Sequence, residues 1–115
     1  MHELSIATAM LDQLEDELVK RPGVRIAKVG VKIGELSGVD PESLRFGFEA
    51  LVKDSHWDPL ALEIEYIRRR QKCPRCQHEW TVENWSTECP ECSEMATLTL
   101  AGDELQIVFI EVDEE

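Results

Sequence analysis

Cys73-Pro74-Arg75-Cys76 and Cys89-Pro90-Glu91-Cys92 hold all four cysteines of the chain, with twelve residues between the two turns. A Cys-x-x-Cys turn aims two thiolates at one point. Two such turns at this separation therefore predict a closed tetrahedral site in which Cys73, Cys76, Cys89 and Cys92 bind Zn(II). The competing reading, a pair of disulfides, belongs to an oxidising compartment. The chain opens Met1-His2-Glu3 with no basic segment leading into an apolar one, and no apolar run approaches the roughly 20 residues that span a bilayer. The expectation is a cytoplasmic chain with reduced thiols and no membrane association, in which the cysteines are metal ligands.

Outward from the cysteines, residues 70–102 read as an insert stapled by the metal, with a ribbon strand at Trp80-Thr81-Val82. Of 115 residues, roughly 80 then remain to build a separate body, enough for a small core. Before the insert, Leu60, Leu62, Ile64 and Tyr66 alternate with Ala61, Glu63 and Glu65, the period of a strand. After it, Leu105–Val112 is apolar on both parities, which predicts a strand covered on both sides or central to its sheet.

Further upstream, Ile6, Met10, Leu14 and Leu18, with Ala7 and Leu11 beside them, form one face of an amphipathic helix that Arg21-Pro22-Gly23 ends. Ala27, Val29, Val31 and Ile33 alternate with Lys28, Gly30 and Lys32 as a half-buried strand. Asp40-Pro41-Glu42 has the form of a helix start, Asp at the N-cap and Pro at the first position, and Leu44, Phe48, Leu51 and Val52 follow as its apolar face. The fold class is α+β: a two-layer body of three strands and two helices, residues 1–69 plus 103–115, interrupted by a four-cysteine zinc ribbon at residues 70–102.

Twenty-four acidic against twelve basic residues leave a formal charge of −12, which disfavours a phosphate backbone as partner. Arg68-Arg69-Arg70-Gln71-Lys72 is a local exception. Four thiolates around one zinc carry a formal charge of −2, and this cluster reads as its electrostatic offset. His56 reads as a surface loop residue. His78, two residues after Cys76, is either a bystander or an exchangeable ligand of the zinc. Trp57, Trp80 and Trp85 read as packing anchors.

His2 is either a solvated residue or the start of a second metal site. Its imidazole and the neighbouring backbone nitrogens can form a planar nitrogen set, which suits Ni(II) or Cu(II) more than zinc. Glu3 adds a carboxylate, or simply favours the positive end of the first helix. Met1-His2-Glu3-Leu4-Ser5, Gly34-Glu35-Leu36-Ser37-Gly38-Val39, Leu44-Arg45-Phe46-Gly47-Phe48-Glu49 and the two cysteine turns together resemble the HypA/HybF family, nickel metallochaperones of hydrogenase maturation. The resemblance covers essentially the whole chain, in order.

It implies a nickel-binding α/β domain with a zinc ribbon inserted before its last strand. It also implies His2 as the principal Ni(II) ligand, through side chain and backbone nitrogen, with Glu3 contributing a backbone nitrogen or its carboxylate. Asp40 matches an Asp that ligates in some members, a role that competes with the N-cap. Certain archaeal members complete the site with a His just after the ribbon, and no His occurs between Glu79 and Glu115. The partners implied are a HypB-like nickel-inserting GTPase, the large subunit of [NiFe]-hydrogenase and, in some organisms, urease maturation proteins. The alternative, a zinc-ribbon adaptor for nucleic acid or a transcription or translation partner, would leave His2 dispensable. A metal hydrolase is the weakest reading: an open catalytic zinc needs three protein ligands and a water, and the three histidines are scattered.

Overall fold

The alternation at Val29, Val31 and Ile33 becomes the centre of the main sheet. In the computed structural model, which describes residues 3–114, helix α1 (Glu3–Lys20) leads into the long strand β1 (Val24–Gly34). A single 3-10 turn (Glu35–Ser37) and helix α2 (Pro41–Val52) follow, then β2 (Ala61–Ile67). Strands β3 (Arg70–Lys72), β4 (Glu79–Thr81) and β5 (Leu98–Ala101) make a second sheet, and β6 (Leu105–Glu114) returns to the first. The first sheet runs β2-β1-β6 and the second β4-β3-β5.

Strands β1 and β2 are parallel, with Val29 beside Leu62 and Val31 beside Ile64, so their connection must cross over, and α2 is that crossover. Both helices lie on one face. Ala7, Met10 and Leu14 of α1 and Leu44, Phe48 and Val52 of α2 close over Val29, Val31, Ile33 and Leu62. Phe48, Leu44 and Ile33 are wholly buried, and Trp57 packs at the rim of the same cluster. The helix faces thus fall where the 3.6-residue period put them.

Two expectations about the strands are corrected. Strand β6 is an edge strand, and Leu105, Val108, Phe109 and Val112 are each more than a third exposed. Its apolar residues on both parities come from a register shift opposite Gly30 and Val31. Ile107 pairs with Val31 and Ile110 with Val29, so Val108 is the extra residue and the inward parity changes there. A second shift lies between Ile26 and Lys28. It makes Ile26, and not Ala27, the buried residue at that end of β1.

The two sheets meet where β1 ends. Gly34 N–H donates to Glu104 O (2.7 Å) and Leu36 N–H to Gly102 O (2.6 Å). Gly102, at φ +117°, presses so closely on Arg69 that an added Cβ would lie 2.8 Å from its Cα. Arg69 N–H donates to a Glu35 carboxylate oxygen at 2.8 Å, and Arg68 lies 3.6 Å from the same oxygen. The molecule is elongated, 57 × 24 × 16 Å.

Candidate metal centres

Each cysteine turn is shaped by its own backbone. Gln77 N–H closes on Cys73 O and Ser93 N–H on Cys89 O, at 2.8 and 2.9 Å. Return bonds run from Cys73 N–H to His78 O (2.8 Å) and from Cys89 N–H to Glu94 O (2.9 Å). Gln77 and Ser93 take the left-handed conformation, φ +69° and +65°, each four residues after the first cysteine of its turn. The two loops are copies of one device, although neither left-handed residue is the glycine such a position favours.

The four sulfurs converge within 4.8 Å of one another, with Cys73 Sγ 3.5 Å from Cys92 Sγ and Cys76 Sγ 3.6 Å from Cys89 Sγ. A disulfide requires about 2.05 Å, so the thiols are free. A tetrahedral ion with metal–sulfur bonds of about 2.3 Å separates its sulfurs by about 3.8 Å, and the cage is close to that size. Cys73 and Cys89 are buried, Cys92 is half-buried and Cys76 is exposed.

Charge is the difficulty such a cage must solve. Burial raises the Cys73 thiol, but amide N–H groups of Cys76 and Arg75 and the neighbouring thiols outweigh it and bring it down to about 7. Cys92 receives the Glu94 amide, which lowers it, yet burial and the other three sulfurs push it up to about 12. Four adjacent thiols cannot all ionise unless a cation enters. The described residues thus contain a four-cysteine metal-binding group.

Two arginines of the Arg68–Lys72 cluster have partners of their own. Arg68 lies 3.5 Å from Glu83 as well as near Glu35, and Arg70 bonds Thr81 Oγ1 (2.9 Å) and approaches Glu79 (3.9 Å). Gln71, grouped with the cluster in sequence, is the residue whose role was missed. It is 1% exposed, donates to Thr97 Oγ1 (3.0 Å) and accepts from Thr99 Oγ1 (2.8 Å) and Arg69 Nε (3.2 Å). A polar core therefore ties β3 to β5. Only its place in the middle of a strand hinted at it.

His78 stacks on half-buried Trp80, ring centroids 5.8 Å apart and planes 7° apart, and contributes no nitrogen to the four-sulfur group. His56 is a surface residue 2.9 Å from Glu15. Trp85 is 67% exposed and anchors nothing, unlike Trp57.

At the other end of the molecule, His2 lies outside the described residues. Glu3 and Asp40 are brought together by the helix packing. Leu4, in the first turn of α1, lies against Gly47 of α2, and a Cβ on Gly47 would stand 3.5 Å from Leu4 Cδ1. Asp40 N–H donates to Glu3 Oε2 at 3.2 Å. The Asp40 carboxylate caps α2, accepting from Glu42 N–H (3.3 Å) and Ser43 Oγ (2.7 Å). Residues 37 apart in sequence thus place two carboxylates beside the start of α1.

These two features stand on a chain that matches, over residues 1–112, the family model described as hydrogenase/urease nickel incorporation, metallochaperone, HypA. The chain belongs to the HypA family. A hydrogenase maturation factor HypA of Chlorobium luteolum is 36% identical over 115 residues, covering 100% of this chain and 98% of the relative. Another, from Caldanaerobacter subterraneus, is 34% identical over 98% of this chain and 100% of its own. The solution structure of the Ni metallochaperone HypA from Helicobacter pylori shares the fold, with TM-score 0.65 at 24% identity over the full length of both chains. A second HypA solution structure gives TM-score 0.72 at 24% identity, covering 100% of this chain and 98% of that one. The family is one of metallochaperones, not enzymes, and no helix among the described residues is long and apolar enough to cross a membrane.

Proposed function

We propose that this chain binds Ni(II) and passes it on during maturation of [NiFe]-hydrogenase, with urease as a second destination where that enzyme is made. The whole-chain family match carries this reading. His2 supplies the imidazole and a backbone nitrogen, and Glu3 a carboxylate or its own backbone nitrogen. Asp40 holds Glu3 by its N–H; a nickel bond from its carboxylate would compete with the cap on α2. Nitrogen and oxygen donors at the surface suit a carrier, because a partner's ligands can reach the ion and take it. Copper outcompetes nickel at most nitrogen sites, so selectivity falls to metal availability and partner contacts.

Zn(II) belongs in the sulfur cage, held by Cys73, Cys76, Cys89 and Cys92. There it supplies charge neutralisation and a cross-link for a three-stranded sheet with almost no apolar core. We divide the chain into a nickel domain, 1–69 plus 103–115, and a zinc ribbon, 70–102. Four free thiols fit the reducing cytoplasm. The recipients are a HypB-like maturation GTPase and the hydrogenase large subunit. The adaptor reading is not favoured, since of the arginines that would grip phosphates Arg68 is engaged by Glu35 and Glu83 and Arg70 by Glu79.

Nickel titration of the zinc-loaded, untagged protein tests the site. His2→Ala should abolish tight Ni(II) binding while zinc stays at one per chain. Asp40→Asn, which keeps the cap, should weaken nickel less. Undiminished nickel affinity in His2→Ala would remove His2 from the site.

A further inference from the structure

Strand β6 is hydrogen-bonded along one edge, to β1, and among the described residues no strand lies along the other. Natural edge strands are blunted by shortness, lysine or proline, and also by charges and bulges such as the acidic end and Val108 of β6. Strand β6 is ten residues long and contains neither Lys nor Pro. Beside it runs a groove under α1. One part, about 200 Å³, is lined by Ile6, Met10 and Ile107 among others, and a second, about 340 Å³, by Leu14, Glu17 and Ile110. Gln13 and Ile107 line both parts, so the groove is continuous along the strand. An extended segment laid on the β6 edge would bond its backbone to the strand and drop alternate side chains into this groove.

Charge decides which segment. Residues 105–115 carry no cation, and Glu111, Asp113 and Glu114 close the strand while Asp103 and Glu104 precede it. A second copy paired antiparallel on this edge would set the acidic end of each strand beside Asp103 and Glu104 of the other, repulsive at both ends. Asp113 is engaged by Arg25 at 3.1 Å, whereas Glu111 and Glu114 form no ion pair among the described residues. The register places Glu111 and Asp113 on the sheet face away from the helices, on the same side as Phe109 over Gly30.

We propose that the β6 edge and the α1 groove receive an extended segment of a partner protein, apolar residues facing the groove and basic residues alternating with them on the open face. The proposal is independent of either metal. It is tested on the zinc-loaded protein with a synthetic ten-residue peptide alternating valine and lysine. Amide hydrogen exchange should slow along Leu105–Glu114, and E111Q, on the open face, should weaken binding about threefold. An alternating valine–glutamate peptide should not bind. Equal binding by a peptide of the same composition with its lysines grouped would overturn the proposal, as would binding without protection of β6. Concentration-dependent dimers that protect β6 without peptide would name a second copy as the occupant instead.

Discussion

Gly30 and Gly34 lie on one strand with ordinary extended backbone, yet a methyl at each would meet different neighbours. At Gly30 it would overlap the ring of Phe109, a side chain that is 36% exposed and free to swing outward. At Gly34 it would overlap the backbone of Gly102, and Glu104 N would be only 2.6 Å away. Backbone held on both sides cannot retreat. Gly34→Ala should therefore cost about 1–3 kcal/mol, as overpacking does. Gly30→Ala should stay below about 1 kcal/mol. Denaturant unfolding of the zinc-loaded variants measures both, and equal costs would contradict the junction as described. Glycine's role at Gly34 was invisible in sequence, since the obstacle comes from residues nearly 70 positions away. The cysteines were the opposite case, because the spacing within each turn is itself the geometry.

Among elements, the short turn after β1 has more to do than its three residues suggest. Glu35 accepts Arg69 N–H and lies beside Arg68, and Arg68 in turn donates to Val82 O (3.1 Å). One carboxylate thus ties the end of β1 to the start of β3 and, through Arg68, to the end of β4. The same turn leads through Ser37, whose Oγ accepts Val39 N–H (3.2 Å), into the Asp40 cap. Glu35→Ala should speed exchange of the Arg69 amide and cost about 1–2 kcal/mol, the range for a half-buried donor losing a charged acceptor. Glu35→Gln keeps an acceptor and should recover most of it. Exchange at Arg69 unchanged in Glu35→Ala would dissolve the link. Helices were legible because each buries one regular face; Leu44, Phe48 and Val52 needed only their spacing. Strand β6 was misread because a single inserted residue, Val108, reverses parity, and a composition pattern cannot tell a bulge from two-sided burial.

At the scale of the molecule, two sheets of three strands depend on different stabilisers. The first rests on an apolar core, while the second has buried Gln71, Val82, Cys73 and Cys89. Removing the metal with a chelator should therefore dissolve β3–β5 and expose Trp80 while leaving Trp57 buried in the first core. Tryptophan-resolved NMR separates the two, and loss of all dispersion together would contradict a division into modules. The pH dependence has a definite sign. Cys92, pushed up to about 12 without metal, holds its proton at neutral pH and must lose it on binding. Zinc affinity should rise with pH and fall on acidification, which release to a chromophoric chelator between about pH 5 and 8 would follow.

Sequence alone determined what short-range geometry can encode: two helix faces, the alternation at Val29, Val31 and Ile33, the N-cap at Asp40 and a four-sulfur cage. Tertiary structure decided what depends on residues distant along the chain. It made β1 the centre and β6 the edge, engaged Arg68 and Arg70 with Glu35, Glu83 and Glu79, and set Glu3 against Asp40. The physical reason is that periodicity reports which side of an element avoids water. Which element covers that side, and which is left uncovered, is fixed only when the pieces compete for the same core.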